Sequence, residues 1–315
     1  MTPISVISFP SPHDWPLWVA QELGFFDRNQ IAVSLTQTAD SKFQLAGLID
    51  GKFDVAMTGI DNVVAYMEGQ GEAPTQASPD IFAFMGASNK AFLRLVTVPE
   101  VTRVADLKGK QVSVDALTTG YAFVLRKLLE EGGLAPSDVE FVSVGGLRQR
   151  YQALMEKKQA GTLLISPMHV AAQKSGFNIL ANAEDVLGPY QASVGAARRD
   201  WARHNRAALV GYIRAYMDAI AWLRNPANEA RAIAMLGKNM PGMTEPMAAQ
   251  AYEVLLNPEN GLDPRAPIDI EGIATVLALR SEYAEPRKSL SEAGKYYDLQ
   301  YHTDAISLGS NGFGN

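Results

Sequence analysis

The chain has 315 residues, 47% apolar and 20% charged, with a net charge of −6 from 28 basic and 34 acidic side chains. This is ordinary globular usage for about two domains of roughly 100–200 residues each, and an acidic balance without a basic block excludes a typical nucleic-acid binder. Cysteine is absent, which removes thiolate nucleophiles, thiolate metal sites, iron–sulfur clusters and disulfides.

In the first half, β and helical signals alternate. Ile4-Ser-Val-Ile-Ser-Phe9 reads as an opening strand, and Ile31, Val33 and Leu35 alternate with polar or small residues as a half-buried one. A helix over Ser41–Asp50 ends at Gly51, and a strand over Asp54–Thr58 leads into a helix over Ile60–Glu68. This strand–helix–strand spacing predicts right-handed βαβ units in a parallel sheet.

After extended segments at Ile81–Gly86 and Leu93–Val98 the pattern restarts. A strand is predicted over Gln111–Asp115 and a helix over Thr118–Glu131, stopped by Gly132-Gly133. Val139–Val144 and Thr162–Ser166 read as strands flanking a helix over Leu147–Lys158. The stretches Phe43–Thr58 and Tyr151–Ser166 look like weak copies of one helix–strand unit, which predicts two similar lobes.

From Arg199 onward, four long helical patterns follow: Arg199–Leu223, Ala227–Lys238, Glu245–Leu256 and Asp269–Tyr283. They are expected to cover the existing sheets. The tail Gly309–Asn315 is glycine-rich and expected to fray. No apolar run reaches the ~18 residues of a bilayer span. The start carries neither the charged nor the apolar region of a leader. A cytoplasmic location is expected if Met1 is the native start, and a periplasmic one if a leader was removed.

In open parallel sheets, ligands bind beyond the carboxyl ends of strands, near helix starts. That rule selects Phe9, Ser11, His13 and Trp15 after the first strand and Thr38 after the second. It adds Thr58, Gly59 and Asp61 after the third, and Thr118, Thr119, Gly120, Tyr121, Ser166 and Pro167 in the second half. A helix opening at Thr118-Thr-Gly120 would present backbone N–H groups and a partial positive charge, suited to a carboxylate, sulfonate or phosphate. The competing reading makes Thr118 a simple N-cap. Trp15 offers either a flat ligand face or a core side chain, and His13 a hydrogen-bond partner. Asp61 could accept from a ligand amine or hydroxyl, or satisfy its own helix start. Arg148 and Arg150 could clamp an acidic ligand, with at least one expected on a solvated helix face. Ser11, His13 and Asp14 are too close in sequence for a catalytic relay. No phosphate loop, dinucleotide fingerprint or zinc-helix motif occurs, so no cofactor and no metal are expected. His169, His204 and His302 are expected in structural bonds or on surfaces, and Arg198-Arg199 as a solvated end.

A series of segments, in order, resembles a known family. It includes Leu17-Trp-Val-Ala-Gln-Glu-Leu-Gly-Phe-Phe26, Leu48-Ile-Asp-Gly-Lys-Phe-Asp-Val-Ala56 and Asp106-Leu-Lys-Gly-Lys-Gln-Val112. It continues with Leu128-Leu-Glu-Glu-Gly-Gly-Leu134, Val144-Gly-Gly146 and Tyr296-Tyr-Asp-Leu-Gln-Tyr301. The chain resembles the substrate-binding proteins of nitrate/sulfonate/taurine-type ABC transporters, the NMT1/THI5-like group. The resemblance implies an α/β, two-lobe, type II periplasmic-binding-protein fold, each lobe a mostly parallel sheet flanked by helices. Residues 1–96 and 194–315 would form lobe 1, with the helical C-terminal third packing on it. Residues 97–193 would form lobe 2, with the ligand cleft between. The function implied is capture of a small organic ligand, an anion or aromatic acid, by lobe closure of a monomer that delivers it to an ABC permease. The resemblance also extends to cytoplasmic enzymes, including a decarboxylase, which keeps a cleft enzyme acting on a small aromatic or heterocyclic acid as the alternative.

Overall fold

A computed structural model describes residues 1–38, 40–88, 93–257 and 261–309; the expected fraying of residues 310–315 lies outside them. The chain forms two compact units. Unit 1 comprises 1–89, 191–270 and 292–315, and unit 2 comprises 90–190 and 271–291.

Unit 1 begins with β1 (Thr2–Ser8), α1 (Trp15–Glu22), α2 (Phe25–Arg28) and β2 (Ile31–Gln37). It continues with α3 (Ser41–Ile49), β3 (Val55–Gly59), α4 (Ile60–Met67) and β4 (Ile81–Ser88). Unit 2 holds β5 (Arg94–Thr97), β6 (Gln111–Val114), α5 (Gly120–Glu131), β7 (Glu140–Ser143), α6 (Leu147–Met155), β8 (Gly161–Leu164), α7 (Met168–Lys174), β9 (Asn178–Asn182) and α8 (Ala183–Leu187). The chain then returns to unit 1 with β10 (Ser193–Arg198), α9 (Arg199–His204), α10 (Arg206–Leu223), α11 (Glu229–Asn239) and α12 (Glu245–Leu255). Helix α13 (Ile270–Tyr283) belongs almost wholly to unit 2, and α14 (Gln300–Gly309) to unit 1.

The two sheets share one plan. Unit 1 is ordered β2-β1-β3-β10-β4 and unit 2 β7-β6-β8-β5-β9. In unit 1, β1 pairs in parallel with β2 and β3, while β10 runs antiparallel to β3 and β4. In unit 2, β6 pairs in parallel with β7 and β8, while β5 runs antiparallel to β8 and β9. Four strands of each sheet therefore share a direction, and the opposing strand is the first one after the chain changes unit. The helix–strand copies seen in the sequence are α3–β3 and α6–β8, and their strands hold the same third position in the two sheets.

Periodicity explains the core of unit 1. Helix α10 repeats apolar residues at three- and four-residue intervals, so Leu209, Tyr212, Ile213, Tyr216, Ile220 and Leu223 fall on one stripe and are fully buried. The Tyr212 ring stacks on Phe26 at 5.6 Å and meets Phe84 edge-on at 6.0 Å. In unit 2, α5 buries Phe123, Leu125, Leu128 and Leu129 by the same rule.

Three expectations need correction. Residues 94–97 form β5 inside the sheet of unit 2, because their backbone is bonded on both sides by β8 and β9. Residues 271–291 pack on unit 2 rather than on the first lobe. Tyr283 lies 5.9 Å from the ring of Phe123 and donates to Glu130, while the guanidinium of Arg280 sits 5.2 Å over Phe123. Arg198 is not a solvated end. It donates to the carbonyls of Leu48 at 2.6 Å and Phe53 at 2.8 Å, tying β10 to the end of α3 and to the turn before β3.

Candidate functional site

In unit 1, the carboxyl ends of β1, β2 and β3 bring most of the expected residues to one edge of the sheet. Phe9 is half-buried directly after β1. The chain then breaks at Pro10 and Pro12, which cannot continue a ladder, and a short 3-10 turn over Pro12–Asp14 leads into α1. The Ser11 side chain accepts from the backbone N–H of His13 at 3.3 Å, which opens that turn. His13 is half-buried, and burial pushes its imidazole down to about 4, so it is neutral at physiological pH.

Asp14 departs from ordinary carboxylate behaviour. It is 4% exposed, and its Oδ2 accepts from Ser8 Oγ at 2.7 Å. Burial pushes its carboxyl up to about 8, against the opposing hydrogen bonds from the Ser8 and Gln37 side chains. Ser11, His13 and Asp14 do not assemble a relay. The Ser11–His13 link runs through backbone, and a carboxyl that is protonated at neutral pH cannot stabilise an imidazolium.

Trp15 is corrected to a core residue. It has no exposed surface and packs edge-on against Tyr252 at 6.1 Å. The indole belongs to the apolar core of unit 1, and no ring face is left for a ligand.

Thr38, half-buried, follows β2, and its Oγ1 accepts from the backbone N–H of Asp40 at 3.1 Å. Thr58 is 3% exposed and its Oγ1 accepts from Asn62 Nδ2 at 2.9 Å. Gly59 is the N-cap of α4 and Asp61 lies in its first turn, 6% exposed. Two residues at this edge escaped the sequence reading. Ser193 opens β10 opposite Gly59 and Ser88. Gln191 is fully buried and donates to the carbonyls of Ser88 at 2.9 Å and Ser193 at 2.8 Å. Its Oε1 accepts from the backbone of Asp269 at 2.7 Å. The missing signal was strand direction. An antiparallel strand presents its first residue where its neighbours present their last.

In unit 2, helix α5 starts at Gly120, two residues later than its pattern predicts. Thr118 is exposed and is not the N-cap. Thr119 holds the N-cap position but does not cap the helix. Its hydroxyl is instead 2.7 Å from Asp115 Oδ1 and 3.2 Å from the Ala116 carbonyl. Tyr121 is half-buried in the first turn. Beyond β8, Ser166 and Pro167 are buried, joined by a cis peptide bond, and Ser166 Oγ has no hydrogen-bond partner among the described residues.

The two arginines separate as the sequence reading allowed. Arg148 is exposed, whereas Arg150 is 4% exposed. Arg150 Nη1 donates to the Leu163 carbonyl at 2.7 Å and Nε to the Gly145 carbonyl at 3.1 Å. Burial pulls the Arg150 guanidinium down and the Asp115 carboxyl up, and each charge partly offsets the shift of the other. The guanidinium thus braces the loop before α6 against β8. Arg150→Met is expected to destabilise unit 2 by about 2–3 kcal/mol, the worth of charge-assisted bonds to carbonyls left buried. Chemical denaturation checks this, and a loss below ~0.5 kcal/mol would remove Arg150 as a brace.

The remaining histidines act structurally where their bonds are visible. His204 Nδ1 lies 2.7 Å from the Asp200 carbonyl, and His302 Nε2 lies 2.6 Å from that of Arg265. No group of three or more metal-ligating side chains occurs among the described residues.

Two five-stranded sheets on one plan, each with a single opposing strand supplied after a chain crossing and a polar strand-end edge, define the two-lobe periplasmic-binding-protein fold. The NMT1/THI5-like family profile matches residues 11–230, and the chain belongs to that family. No curated protein matches it. Among solved structures, a protein of Bordetella bronchiseptica RB50 is 20% identical with a TM-score of 0.80, covering 99% of each chain. The periplasmic aliphatic sulphonate binding protein SsuA of Escherichia coli is 19% identical with a TM-score of 0.67, covering 90% of each. The desulfurization enzyme DSZB is 14% identical with a TM-score of 0.61, covering 98% of this chain and all of the other. At these identities the structural likeness establishes the fold.

Proposed function

We propose that the protein is a solute-binding protein that captures a small organic ligand by lobe closure and delivers it, from the periplasm, to an ABC importer. The observation that supports this most is the pair of equivalent strand-end edges, one per unit, each lined by hydroxyl, amide and helix-start groups. Unit 1 contributes Phe9, Ser11, His13, Thr38, Thr58, Gly59 and Asp61. Unit 2 contributes Thr118, Thr119, Gly120, Tyr121, Ser166 and Pro167. Closure requires contacts on both units that favour the closed state. The chemistry of these edges fits binding better than catalysis. Ser11 meets only the backbone of His13, so no nucleophile–base pair forms there, and the chain carries no thiol. A helix start with small hydroxyl and glycine residues suits a carboxylate or sulfonate head group, and Phe9 and Tyr121 supply apolar surface for a ligand body.

The test is a thermal-shift screen against sulfonates, carboxylates, aromatic acids, pyrimidines and amines, with each hit recovered and weighed. At 100 times Kd a ligand stabilises by ~2.7 kcal/mol, which moves the melting point by several degrees. A saturable shift with the ligand returned unchanged is the expected result. A hit returned with altered mass would overturn the reading in favour of an enzyme.

A further inference from the structure

The residues that hold the Phe9–His13 loop in place are not the ones proposed to touch ligand. The loop leaves β1 at Ser8 and rejoins regular structure at α1. Asp14 stands at the N-cap of α1, yet its side chain makes no cap bond to the helix. It turns back to Ser8 at the end of β1 and to Gln37 at the end of β2. One carboxyl therefore ties two strand ends to a helix start across the base of the loop.

The surroundings of that carboxyl are poor in countercharge. From α10, the hydroxyls of Tyr212 and Tyr216 act on it electrostatically, and burial raises the pKa of both far out of the physiological range. Both hydroxyls are buried without a hydrogen-bond partner among the described residues. From β1 and β2 it meets the uncharged Ser8 and Gln37, and on its own loop the neutral His13. No lysine or arginine among the described residues acts on it. A negative charge here is held by two hydrogen bonds and no cation, and it is stabilised only if water reaches it.

We propose that Asp14 is a proton-operated latch on the Phe9–His13 loop: protonated, it holds the loop closed over β1, β2 and α10, and deprotonation releases the loop together with its part of the ligand site. The second half of this statement rests on the solute-binding reading, and the first does not. Ligand capture is then coupled to proton retention, strongest at neutral and mildly acidic pH and weakened in alkaline conditions. His13 travels with the loop but does not drive the change, since it is uncharged across this range.

The latch is tested first without ligand. Amide hydrogen exchange of peptides covering Phe9–Trp15 is followed in the full chain from pH 6 to 9, corrected for intrinsic exchange, in wild type and Asp14→Asn. Protection in the wild type should fall at least tenfold between pH 7 and 9 and stay level in the variant. Parallel curves would overturn the latch. Should Asp14→Asn not fold, Ser8→Ala removes a bond that favours the carboxylate, so release should move to higher pH; an unmoved midpoint also overturns it. Binding is then measured with ethanesulfonate as probe at pH 6.5 and 9. A tenfold weakening at pH 9 in wild type alone supports the coupling, and equal affinity at both values overturns it. If ethanesulfonate binds at neither pH while the exchange result holds, the sulfonate reading of the ligand falls and the latch stands.

Discussion

Asp14→Asn is expected to stabilise the protein, by nothing at pH 4 and by roughly 3–5 kcal/mol at pH 8. The sign follows from where the proton sits. In the folded chain the Asp14 carboxyl keeps its proton up to about pH 8, while an unfolded aspartate loses it near 3.8. Between those values the native state binds more protons than the unfolded one. Stability therefore falls as pH rises, by up to about 1.4 kcal/mol per unit from this one group. The full contribution of the neutral acid is present below pH 4 and is lost by the time pH passes 8. An asparagine side chain keeps the shape, can still accept from Ser8, and never ionises. Wild type and variant should melt together at pH 4 and separate steadily above it, reaching on the order of 10 °C at pH 8. Melting curves with a constant offset across this range would show that Asp14 is not a buried neutral acid.

Gly86→Ala is the second large effect, and it destabilises. Gly86 lies in β4, and its backbone N–H donates to the Ala266 carbonyl at 2.9 Å. A Cβ at this position would stand 1.9 Å from the Pro267 carbonyl oxygen and 2.7 Å from the carbon bearing it. Both are backbone atoms, so no side-chain rotation relieves the overlap. The 266–267 segment is itself constrained, since Ala266 adopts φ +47. The methyl must push this segment off the sheet or bend β4 away from β10, at a cost of about 3 kcal/mol. Gly294→Ala is the matched control, because a Cβ there meets nothing within 4 Å. It should stay within about 0.5 kcal/mol of wild type. Urea midpoints for the three proteins decide the matter, and equal midpoints would refute the argument.

Much of the fold was legible in the sequence because its signals are local. The burial stripes of α4 and α5, the positive-φ glycines Gly51 and Gly133 beyond helices, and the alternation along β2 all reflect neighbouring residues. The break between α9 and α10 at Asn205 was hidden inside one continuous apolar pattern. Strand β9 was missed because Asn178–Asn182 is a short, half-buried edge without strong alternation. The placement of residues 271–291 was illegible for a different reason. An amphipathic helix declares that it will be buried, not which of two cores will bury it. The site divides along the same line. Strand ends picked out Thr58, Gly59 and Asp61, and Ser11 and His13 in a proline-broken loop. Gln191 and Ser193 depend on pairing between distant strands. Trp15 illustrates the opposite error, since its identity suggested a ligand face and its helix geometry buried it.

The opposing strand in unit 1 has a consequence for vectorial synthesis. Strand β10 occupies the position between β3 and β4, so until residue 198 has emerged β4 has no neighbour in its sheet. All five strands of unit 2 lie between residues 94 and 182. On the ribosome, the second sheet is therefore complete in sequence before the first one can close. The unit that starts first finishes last, and its N-terminal strands must wait, partly paired, while another unit is made in the middle of them. That ordering leaves a late window in synthesis in which the first unit is still open and pliable.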